Sequence, residues 1–472
     1  MGNTVYLHPK QPLGALEIDL DLIRRFDRSG PRYTSYPTAD RFVEAFDASA
    51  YTTWAGKRNI GGIQRPLSLY VHIPFCNTLC FYCGCNKIVT KNRAKAVKYV
   101  DFLIHEINLQ GSLFRNDPMV EQLHFGGGTP TFLSDEQLRG VMAAIRRNFS
   151  LVKDGEYSIE IDPRRVPDAT ITALREMGFN RISMGVQDFD PDVQRAVHRI
   201  QTEEETLRVT RTARREGFKS ISMDLIYGLP KQTVEKFDRT LDKIIAADPD
   251  RISLFNYAHL PEIFKPQRRI NADELPSAEI KLEIMQRAIQ RLCEAGYAYI
   301  GMDHFAKPGD ELAVAQRQGR LYRNFQGYST HAGSDLVALG VSAIGNIGPT
   351  YSQNTRDLDK YYDSLDRDTL PIMRGLELTA DDLLRRSVIQ SLMCHFELSF
   401  DSIESAYLIN FKSYFAAELA ELAEYTRFGL LAVNDEWITV TPKGRLLIRS
   451  ICMVFDKYLR VDSERKRYSK II

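Results

Sequence analysis

The first part of the chain alternates short apolar runs with longer segments whose apolar residues recur at helical spacing. The short runs are rich in β-branched residues, which favours strands, and they occupy residues 67–73, 122–125, 158–161, 181–186, 220–226 and 251–255. The segments between them predict helices at residues 94–113, 135–148, 169–177, 203–216 and 234–247. This alternation favours a parallel sheet, although it does not by itself distinguish a partial barrel from a doubly wound sheet.

The pattern changes after the sixth predicted strand. Residues 281–295 predict a long helix, and the glycine-rich stretch 303–349 predicts irregular structure. The elements predicted beyond it are helices at 381–392 and 414–425, two short strands around a turn within 429–440, and a final helix at 442–459. This order predicts a small, mostly helical, winged-helix-like domain. We interpret it as a lid packed over the rest of the protein rather than as a DNA-binding wing.

Residues with reactive or polar side chains stand at the ends of the predicted strands. A cysteine-rich loop directly follows the first strand, and the glycine run 126–130 follows the second. Glu160 ends the third strand, Gln187 stands just past the fourth, and Asp224 lies late in the fifth. Because the carboxyl ends of parallel strands meet at one rim, we expect these residues to converge on one site. The amides of the glycine run could bind a carboxylate there.

Composition and charge narrow the class of protein. The chain has 472 residues, 44% of them hydrophobic, so a large core is expected and global disorder is excluded. Its 62 Lys and Arg residues balance 61 Asp and Glu residues, so nothing favours a nucleic-acid partner. No uninterrupted apolar run reaches about 18 residues, and residues 1–12 lack the apolar core of a secretory signal. We therefore expect a cytoplasmic protein that neither spans a membrane nor binds one.

Three cysteines of the loop, Cys76, Cys80 and Cys83, are close enough in sequence to face one point. Three thiolates can hold three irons of a [4Fe-4S] cluster and leave the fourth iron open to a small ligand. A zinc site is the main alternative, although structural zinc usually takes two separate ligand pairs. A disulfide framework is a weaker alternative, because only seven cysteines occur in the 472 residues.

The spacing of these cysteines resembles that of the radical S-adenosylmethionine (SAM) superfamily. Gly84, Cys85 and Asn86, which follow, resemble the oxygen-independent coproporphyrinogen III oxidase (dehydrogenase) family. The resemblance extends from residues 30–38 to residues 443–449. It implies an α/β fold: a partial (β/α)6 TIM-like barrel of the radical SAM type, with an N-terminal arm and the winged-helix-like C-terminal domain.

The resemblance also implies a division into domains and a reaction. The domains expected are an N-terminal arm covering the substrate site (1–55), the catalytic barrel with its extension (56–375) and the C-terminal helical domain (376–472). The reaction implied is oxidative decarboxylation of two propionates of coproporphyrinogen III to vinyl groups, giving protoporphyrinogen IX in haem biosynthesis. A 5′-deoxyadenosyl radical from SAM would remove hydrogen from the propionate β-carbon. An electron donor and an electron acceptor are needed, and a monomer is expected.

Two SAM molecules are implied, together with residues that hold them. The residues matching the family's site for the first molecule are Tyr70, Gly127, Glu160, Ala258 and Ile344. Those matching the site for the second are Tyr82, Gly128, Thr129, Gln187, Arg199 and Asp224. The residue types suit these roles: Glu160 can accept hydrogen bonds from an ammonium, Arg199 can bind a carboxylate, and Asp224 can bind ribose hydroxyls.

Further residues are implied to act on the substrate. Phe325 and Gln326 match a family motif near the active site, and Cys85 would be a free thiol with a catalytic role. The run 329–333 departs from the family pattern, and its His331 could bind a propionate or be structural.

Two other functions stay open at this point. One is a haem-binding or haem-delivering relative, which usually lacks the cysteine-loop ending and the N-terminal arm found here. The other is a zinc-stabilised regulatory protein that uses its winged-helix-like end for interaction.

Overall fold

The computed structural model of the protein describes residues 16–59 and 64–461. Their contacts divide the chain into two compact units. The barrel unit comprises Pro37–Ile284 and His331–Leu383, and the terminal unit comprises the described parts of Met1–Tyr36, Met285–Thr330 and Leu384–Ile472. The arm, barrel and C-terminal domain boundaries remain predictions, and residues 1–15 of the arm lie outside the described residues.

The helices and strands are numbered in chain order. The helices are α1 (Leu20–Phe26), α2 (Ala48–Lys57), α3 (Ala94–Leu113), α4 (Asp135–Asn148), α5 (Asp168–Glu176), α6 (Pro191–Ala196), α7 (Glu203–Arg215), α8 (Val234–Ala247), α9 (Ala278–Glu294), α10 (Glu311–Arg317), α11 (Leu358–Leu365), α12 (Ala380–His395), α13 (Phe400–Tyr407), α14 (Phe411–Tyr414), α15 (Ala416–Arg427), α16 (Ile448–Met453) and α17 (Lys457–Val461). The strands are β1 (Leu67–Ile73), β2 (Phe75–Cys76), β3 (Ile88–Val89), β4 (Met119–Gly127), β5 (Ser150–Ile161), β6 (Arg181–Gln187), β7 (Ser220–Tyr227), β8 (Arg251–Asn256), β9 (Ala298–Gly301), β10 (His304–Ala306), β11 (Tyr322–Asn324), β12 (Gly327–Ser329), β13 (Asp335–Leu339), β14 (Ile344–Ile347), β15 (Thr350–Asn354), β16 (Ile372–Glu377), β17 (Glu397–Ser399), β18 (Leu431–Val433) and β19 (Trp437–Val440).

The barrel unit contains the six predicted strands as one parallel sheet. They pair in the order β1-β4-β5-β6-β7-β8, so each strand lies beside the next along the chain. β13 also pairs with β1 in parallel. Within the unit the strand order is linear, so the sheet is open, and the predicted partial α/β barrel is confirmed. β1 is buried along both faces, which is typical of a parallel sheet covered by helices.

Local sequence accounts for the helices that alternate with these strands. Helix α4 begins with a capping box in which the Ser134 and Gln137 side chains bond each other's backbone N–H groups. Thr202 and Glu205 form the same box at the start of α7. Each box satisfies N–H groups that would otherwise lack partners, so both helices begin at a defined residue.

The irregular structure predicted for residues 303–349 is wrong. This stretch contains β10, α10 and the strands β11 to β14. In the barrel unit, β13 pairs with β14, β14 with β15 and β15 with β16, all antiparallel, and these strands extend the sheet on the β1 side. The strands within residues 303–349, β10 to β14, are three to five residues long. All five residues of β13 are buried, so no polar–apolar alternation marks it.

The terminal unit is mostly helical and also contains small antiparallel pairs. β9 pairs with β10, and β11 pairs with β12 as a hairpin. The predicted strands within 429–440 are confirmed as β18 and β19, and β17 adds a third strand that was not predicted.

The single final helix predicted at 442–459 is wrong, because the chain forms a 3-10 turn at Arg445–Leu447 and then α16 and α17. The Asp456 carboxylate accepts hydrogen bonds from the N–H groups of Tyr458 and Leu459, at 2.9 and 3.4 Å, and so starts a new helix.

Residues 16–36 of the N-terminal arm lie in the terminal unit, and residues 37–55 lie in the barrel unit. Tyr33 and Tyr36 are each 1% exposed. The Tyr33 hydroxyl donates to the Asp456 carboxylate at 3.0 Å, and Arg449 Nε donates to the Pro31 carbonyl at 3.0 Å. Residues 30–36 are therefore part of the packed unit. Among the described residues, no helix combines the length and apolar character required to cross a bilayer.

Candidate active site

The cysteine loop begins at the carboxyl end of β1 and is closed by a short strand pair. Cys76 ends β2, which pairs in parallel with β3. The Ile88 N–H donates to the Pro74 carbonyl at 2.6 Å, and the Thr90 N–H donates to the Cys76 carbonyl at 3.0 Å. These bonds bring the two ends of the loop together, so the thiols between them share a small volume.

Aromatic residues inside the loop fix it to the barrel. The Phe81 ring stacks on the His198 imidazole, with centroids 5.0 Å apart, and the Phe81 N–H donates to the Val197 carbonyl at 3.0 Å. Phe81 and Tyr82 pack against a buried apolar cluster that includes Tyr257. The positions of the cysteines therefore depend on the α6 segment and on residues that follow β8.

Each cysteine predicted to bind the cluster has a polar neighbour. The Thr129 hydroxyl donates to Cys76 Sγ at 3.6 Å, and Arg199 Nη1 donates to Cys80 Sγ at 3.7 Å. Burial raises the pKa of the Cys76 thiol to about 11. A hydrogen bond from the Cys85 thiol, assisted by the Lys87 charge, lowers the pKa of Cys83 to about 6.

These three thiols fit an iron–sulfur cluster better than a single metal ion. Within the described residues, no group of three or more His, Cys, Asp or Glu side chains converges on one ion. The geometry therefore does not support the zinc alternative, which needs ligands that share one metal. In a cluster each thiolate bonds a different iron, and a nearby guanidinium or hydroxyl can donate to the sulfur. The Thr129 hydroxyl beside Cys76 and the Arg199 guanidinium beside Cys80 are donors of this kind.

The glycine run packs the cysteine loop against the sheet. Gly127 has a φ of +112°, and a Cβ there would lie 2.5 Å from the His72 ring. A Cβ on Gly128 would lie 2.8 Å from the Pro74 backbone. Both positions therefore require glycine, one for its backbone conformation and both for close approach.

The amides of this run already have partners in the protein. The Gly127 N–H donates to the Glu160 carboxylate at 3.2 Å. The Gly128 and Thr129 N–H groups donate to the Ile73 and Phe75 carbonyls, each at 2.8 Å. These amides therefore already have acceptors within the protein, and binding of a ligand carboxylate by them stays a prediction. Their role is to hold Glu160 and the first part of the cysteine loop.

Two carboxyl groups face the site from β5 and β7, the strands on either side of β6. Glu160, at the end of β5, also contacts His124 Nε2 at 3.2 Å, and its side chain is 44% exposed. Asp224, on β7, is hydrogen-bonded to Ser253, and burial raises its pKa to about 7. Glu160 can thus act as an exposed acceptor, whereas Asp224 can donate or accept near neutral pH.

Arg199 and Gln187 lie on the same side of the sheet. Arg199 is 7% exposed, and its Nη2 donates to the Gly185 carbonyl. The sequence predicted Gln187 just past the fourth strand, whereas the structure places it as the last residue of that strand, β6. It has a φ of +70°, and its buried Oε1 has no partner among the described residues. Backbone strain and an unpaired polar atom at one residue are typical of a binding site.

A cavity of about 370 Å³ joins these groups. The predicted site residues that line it are Cys76, Cys80, Tyr82, Cys83, Cys85, Gly127, Gly128, Thr129, Glu160, Gln187, Arg199 and Asp224. The predicted cluster ligands and all the residues predicted to hold the second SAM molecule therefore surround one space at the carboxyl ends of the strands. Its other lining residues include Lys87, Asp162 and Arg164, which the sequence analysis did not single out.

Asp162 and Arg164 directly follow β5. They pair at 2.6 Å, and Arg199 Nη2 lies 3.8 Å from Asp162. Their position just past a strand end was the signal that could have identified them.

The remaining predicted site residues lie elsewhere. Tyr70 is in β1, where its hydroxyl bonds His72 Nδ1 at 3.1 Å and its ring stacks on His124. Ala258 follows β8, and Ile344 begins β14. None of these three lines the cavity. Phe325 and Gln326 form the turn between β11 and β12 in the terminal unit.

His331 lies at the opposite end of the sheet from the cavity. It contacts Glu121, near the beginning of β4, at 3.3 Å, and Glu156 of β5, which lies opposite Gln122 of β4, at 3.9 Å. Two carboxylates would repel a propionate, so this position favours the structural interpretation of His331.

Family profiles match two parts of the chain. The profile of the Radical SAM superfamily matches residues 70–244, which include the cysteine loop and most of the parallel sheet. The profile of the HemN C-terminal domain matches residues 378–447.

Individual relatives match nearly the whole length. The oxygen-independent coproporphyrinogen III oxidase of Pseudomonas aeruginosa is 54% identical over 462 residues, which cover 98% of this chain and 100% of that protein. The Escherichia coli protein of the same name is 50% identical, covering 97% of this chain and 99% of its own. A solved structure, described as coproporphyrinogen III oxidase (HemN) from Escherichia coli, a radical SAM enzyme, superposes with a TM-score of 0.90 at 50% identity. The match covers 94% of this chain and 100% of that one.

Proposed function

The chain belongs to the oxygen-independent coproporphyrinogen III oxidases of the radical SAM superfamily, and from this premise we propose its reaction. It is the oxidative decarboxylation of two propionates of coproporphyrinogen III to vinyl groups, which yields protoporphyrinogen IX in haem biosynthesis. One observation of this chain carries the proposal: Cys76, Cys80 and Cys83 line a single cavity together with Glu160 and Arg199.

Cys76, Cys80 and Cys83 hold a [4Fe-4S] cluster whose fourth iron is left for SAM. When bound, the cluster and SAM supply the radical chemistry that removes a hydrogen atom from a propionate β-carbon. The Arg199 guanidinium beside Cys80 and the Thr129 hydroxyl beside Cys76 stabilise the thiolates. The short strand pair that closes the loop keeps the thiols in place while the cluster binds.

Two SAM molecules bind, each with its own set of residues. The first is held by Tyr70, Gly127, Glu160, Ala258 and Ile344, and the second by Tyr82, Gly128, Thr129, Gln187, Arg199 and Asp224. The position of Glu160 supports its role, because its exposed carboxylate is held by the Gly127 amide and can accept from an ammonium. Asp224, with a pKa raised to about 7 by burial, can donate to or accept from ribose hydroxyls.

Cys85, Phe325 and Gln326 act on the substrate. Cys85 lines the cavity and is exposed, which suits a thiol that exchanges a hydrogen atom or an electron. An electron donor and an external electron acceptor complete the reaction, and the protein is a cytoplasmic monomer. The chain divides into an N-terminal arm that covers the substrate (1–55), a catalytic barrel domain (56–375) and a C-terminal helical domain (376–472).

Anaerobic incubation of the protein with coproporphyrinogen III, SAM and a reductant tests the proposal. Analysis of the products is expected to show protoporphyrinogen IX and 5′-deoxyadenosine. If SAM is cleaved in the presence of coproporphyrinogen III but no decarboxylated product forms, the radical SAM assignment stands and the substrate is wrong.

A further inference from the structure

Arg323 lies on β11 in the terminal unit, next to the turn that carries Phe325 and Gln326, and is 3% exposed. Its backbone is fixed by Gln390. The Arg323 N–H donates to Gln390 Oε1 at 3.2 Å, and Gln390 Nε2 donates to the Arg323 carbonyl at 2.7 Å. The position of the strand therefore does not depend on the Arg323 guanidinium, whose role must be explained separately.

This guanidinium is buried without a negative partner. Its Nε donates weakly to the Arg32 carbonyl at 3.4 Å, and its carbon lies 4.8 Å from the Tyr328 ring centroid. Within residues 16–59 and 64–461, no carboxylate lies in ion-pair contact with Arg323, and its Nη1 is buried without a hydrogen-bond partner. Burial of an unpaired charge is costly for folding, so such a group indicates a missing anion.

The surroundings add more positive charge than negative charge. Arg32 lies within electrostatic range of Arg449, and it pairs with Asp303 at 2.6 Å. Burial, followed by the charges of Arg32 and Arg323, lowers the pKa of Arg449 to about 10. Gln326 supplies another donor, since its buried Nε2 has no partner in the part of the chain that the structure describes. Unpaired donors and surplus positive charge together favour an acceptor-rich anionic ligand.

We propose that Arg323, assisted by Arg32 and Gln326, binds a carboxylate of the substrate and thereby positions the porphyrinogen. This inference rests on the proposed function, because it assigns the anion to a propionate of coproporphyrinogen III. The methionine carboxylate of SAM is the other possible source. We favour the propionate because Arg199, in the cavity of the barrel unit, is available to the SAM carboxylate.

The test compares Arg323→Met and Arg323→Lys with a matched control, Arg385→Met, in the full-length protein. Arg385 is a largely buried arginine of the same unit, but it pairs with Glu418 at 3.0 Å. The binding probe is coproporphyrin III, the fluorescent oxidised form that keeps the same propionates, and SAM is titrated separately. The free energy of unfolding and the iron content are measured for each variant.

Arg323→Met is expected to weaken coproporphyrin III binding by about 10- to 100-fold, because a charge-assisted hydrogen bond is lost. Its affinity for SAM and its iron content should not change. Arg323→Lys should recover part of the loss, since it restores the charge. The free energy of unfolding should stay equal or rise in Arg323→Met, because an unpaired buried charge is removed. It should fall in Arg385→Met, which leaves the buried Glu418 carboxylate with only Arg460, 3.7 Å away.

Wild-type affinity for coproporphyrin III in Arg323→Met would overturn the proposal. A loss of SAM affinity in Arg323→Met, with unchanged porphyrin affinity, would also overturn it. So would destabilisation of Arg323→Met as large as that of Arg385→Met, because it would show that the Arg323 charge has a structural role. Failure of the wild-type protein to form protoporphyrinogen IX would instead refute the proposed function, whatever the variants bind.

Discussion

At the scale of single residues, the main question is which of the four thiols of the cysteine loop bind iron. Cys76, Cys80, Cys83 and Cys85 all line one cavity, and the Cys85 thiol donates a hydrogen bond to Cys83. A cluster bonded by all four would have no open iron for SAM. The proposed function assigns the first three to iron, which would leave Cys85 as a free, exposed thiol.

Replacing Cys85 by Ser is therefore expected to leave the iron content unchanged while most formation of protoporphyrinogen IX is lost. Iron analysis of anaerobically purified protein and product analysis measure the two effects. Cys293→Ser is the control, because this partly buried cysteine lies on α9 and does not line the cavity. Loss of iron in Cys85→Ser would identify Cys85 as a ligand, and full activity would show that its thiol takes no part in the reaction.

The residues of the site differ in how far sequence could identify them. Glu160 and Asp224 were predictable because strand ends of a parallel sheet share one rim. The roles of the Gly127 and Gly128 amides could not be predicted, because their hydrogen-bond partners lie on other strands. Glu160 is on β5, later in the chain, and Ile73 is on β1, earlier in the chain. Asp162 was missed because a carboxylate after a strand is common, and only its contact with Arg164 and Arg199 distinguishes it.

At the scale of secondary-structure elements, the site depends on how β4 meets the cysteine loop. Gly127 ends β4 at a φ of +112°, and the loop's hydrogen bonds to Gly128 and Thr129 follow directly. A side chain at position 127 would require both a strained backbone and displacement of His72.

Gly127→Ala is accordingly expected to cost about 2 kcal/mol or more of stability and to lower the iron content. Gly140→Ala is its matched control. Gly140 lies in α4 with nothing within 4 Å of the added Cβ, so alanine should be neutral or slightly stabilising there. The iron content and the free energy of unfolding in urea are measured for both variants. Equal values in Gly127→Ala and Gly140→Ala would refute the packing role given to Gly127.

A second element-scale feature is a buried carboxyl between α3 and the segments around β13 and α11. Glu106 accepts hydrogen bonds from the Gly340 N–H, the Asn354 amide and the Tyr361 hydroxyl, at 2.7, 2.7 and 2.6 Å. Burial nevertheless raises its pKa to about 7. The folded protein therefore keeps a proton that the unfolded chain releases above its ordinary pKa of about 4.3.

The contribution of Glu106 to stability should consequently fall as the pH rises from about 4.3 to about 7, by an amount on the order of 3 kcal/mol. Urea unfolding of the wild type at about pH 5 and about pH 7.5 should show this loss, and Glu106→Gln should show a smaller one. Glu176→Gln is the control, since its side chain is 58% exposed. The same pH dependence in Glu106→Gln and in the wild type would contradict the buried proton.

The elements also show where periodicity is informative. Helices α3, α4 and α8 have the predicted bounds, because long periodic segments are strong signals, and strand β1 also has its predicted bounds. β5 begins at Ser150, eight residues before its predicted start, because its first part includes the exposed residues Lys153 and Asp154. The short strands after residue 303 carried no usable period, so the extension of the sheet could not be predicted.

The whole molecule combines a widely shared catalytic barrel with parts that belong to this family. The superfamily profile matches residues 70–244, whereas the family relatives cover nearly the full chain. Residues 30–36 lie outside the superfamily match, and Tyr33 and Tyr36 are buried in the terminal unit. The arm is therefore both a proposed substrate contact and part of a folded unit.

Deletion of residues 1–38 is expected to abolish decarboxylation but to spare the iron content and substrate-independent SAM cleavage, because the proposed ligands begin later. It should also lower the stability of the terminal unit, because the buried tyrosines are lost. Arg32→Ala separates the two effects: it removes the ion pair with Asp303 and leaves both tyrosines in place. Normal product formation by the deletion variant would show that the arm is dispensable.

The central claim is that a radical formed at the cavity removes hydrogen from a propionate β-carbon. Coproporphyrinogen III labelled with deuterium at that carbon, incubated anaerobically with the protein, SAM and a reductant, tests it most directly. We expect deuterium in the 5′-deoxyadenosine, together with protoporphyrinogen IX, and neither product with Cys80→Ala. Protoporphyrinogen IX accompanied by unlabelled 5′-deoxyadenosine would contradict the account.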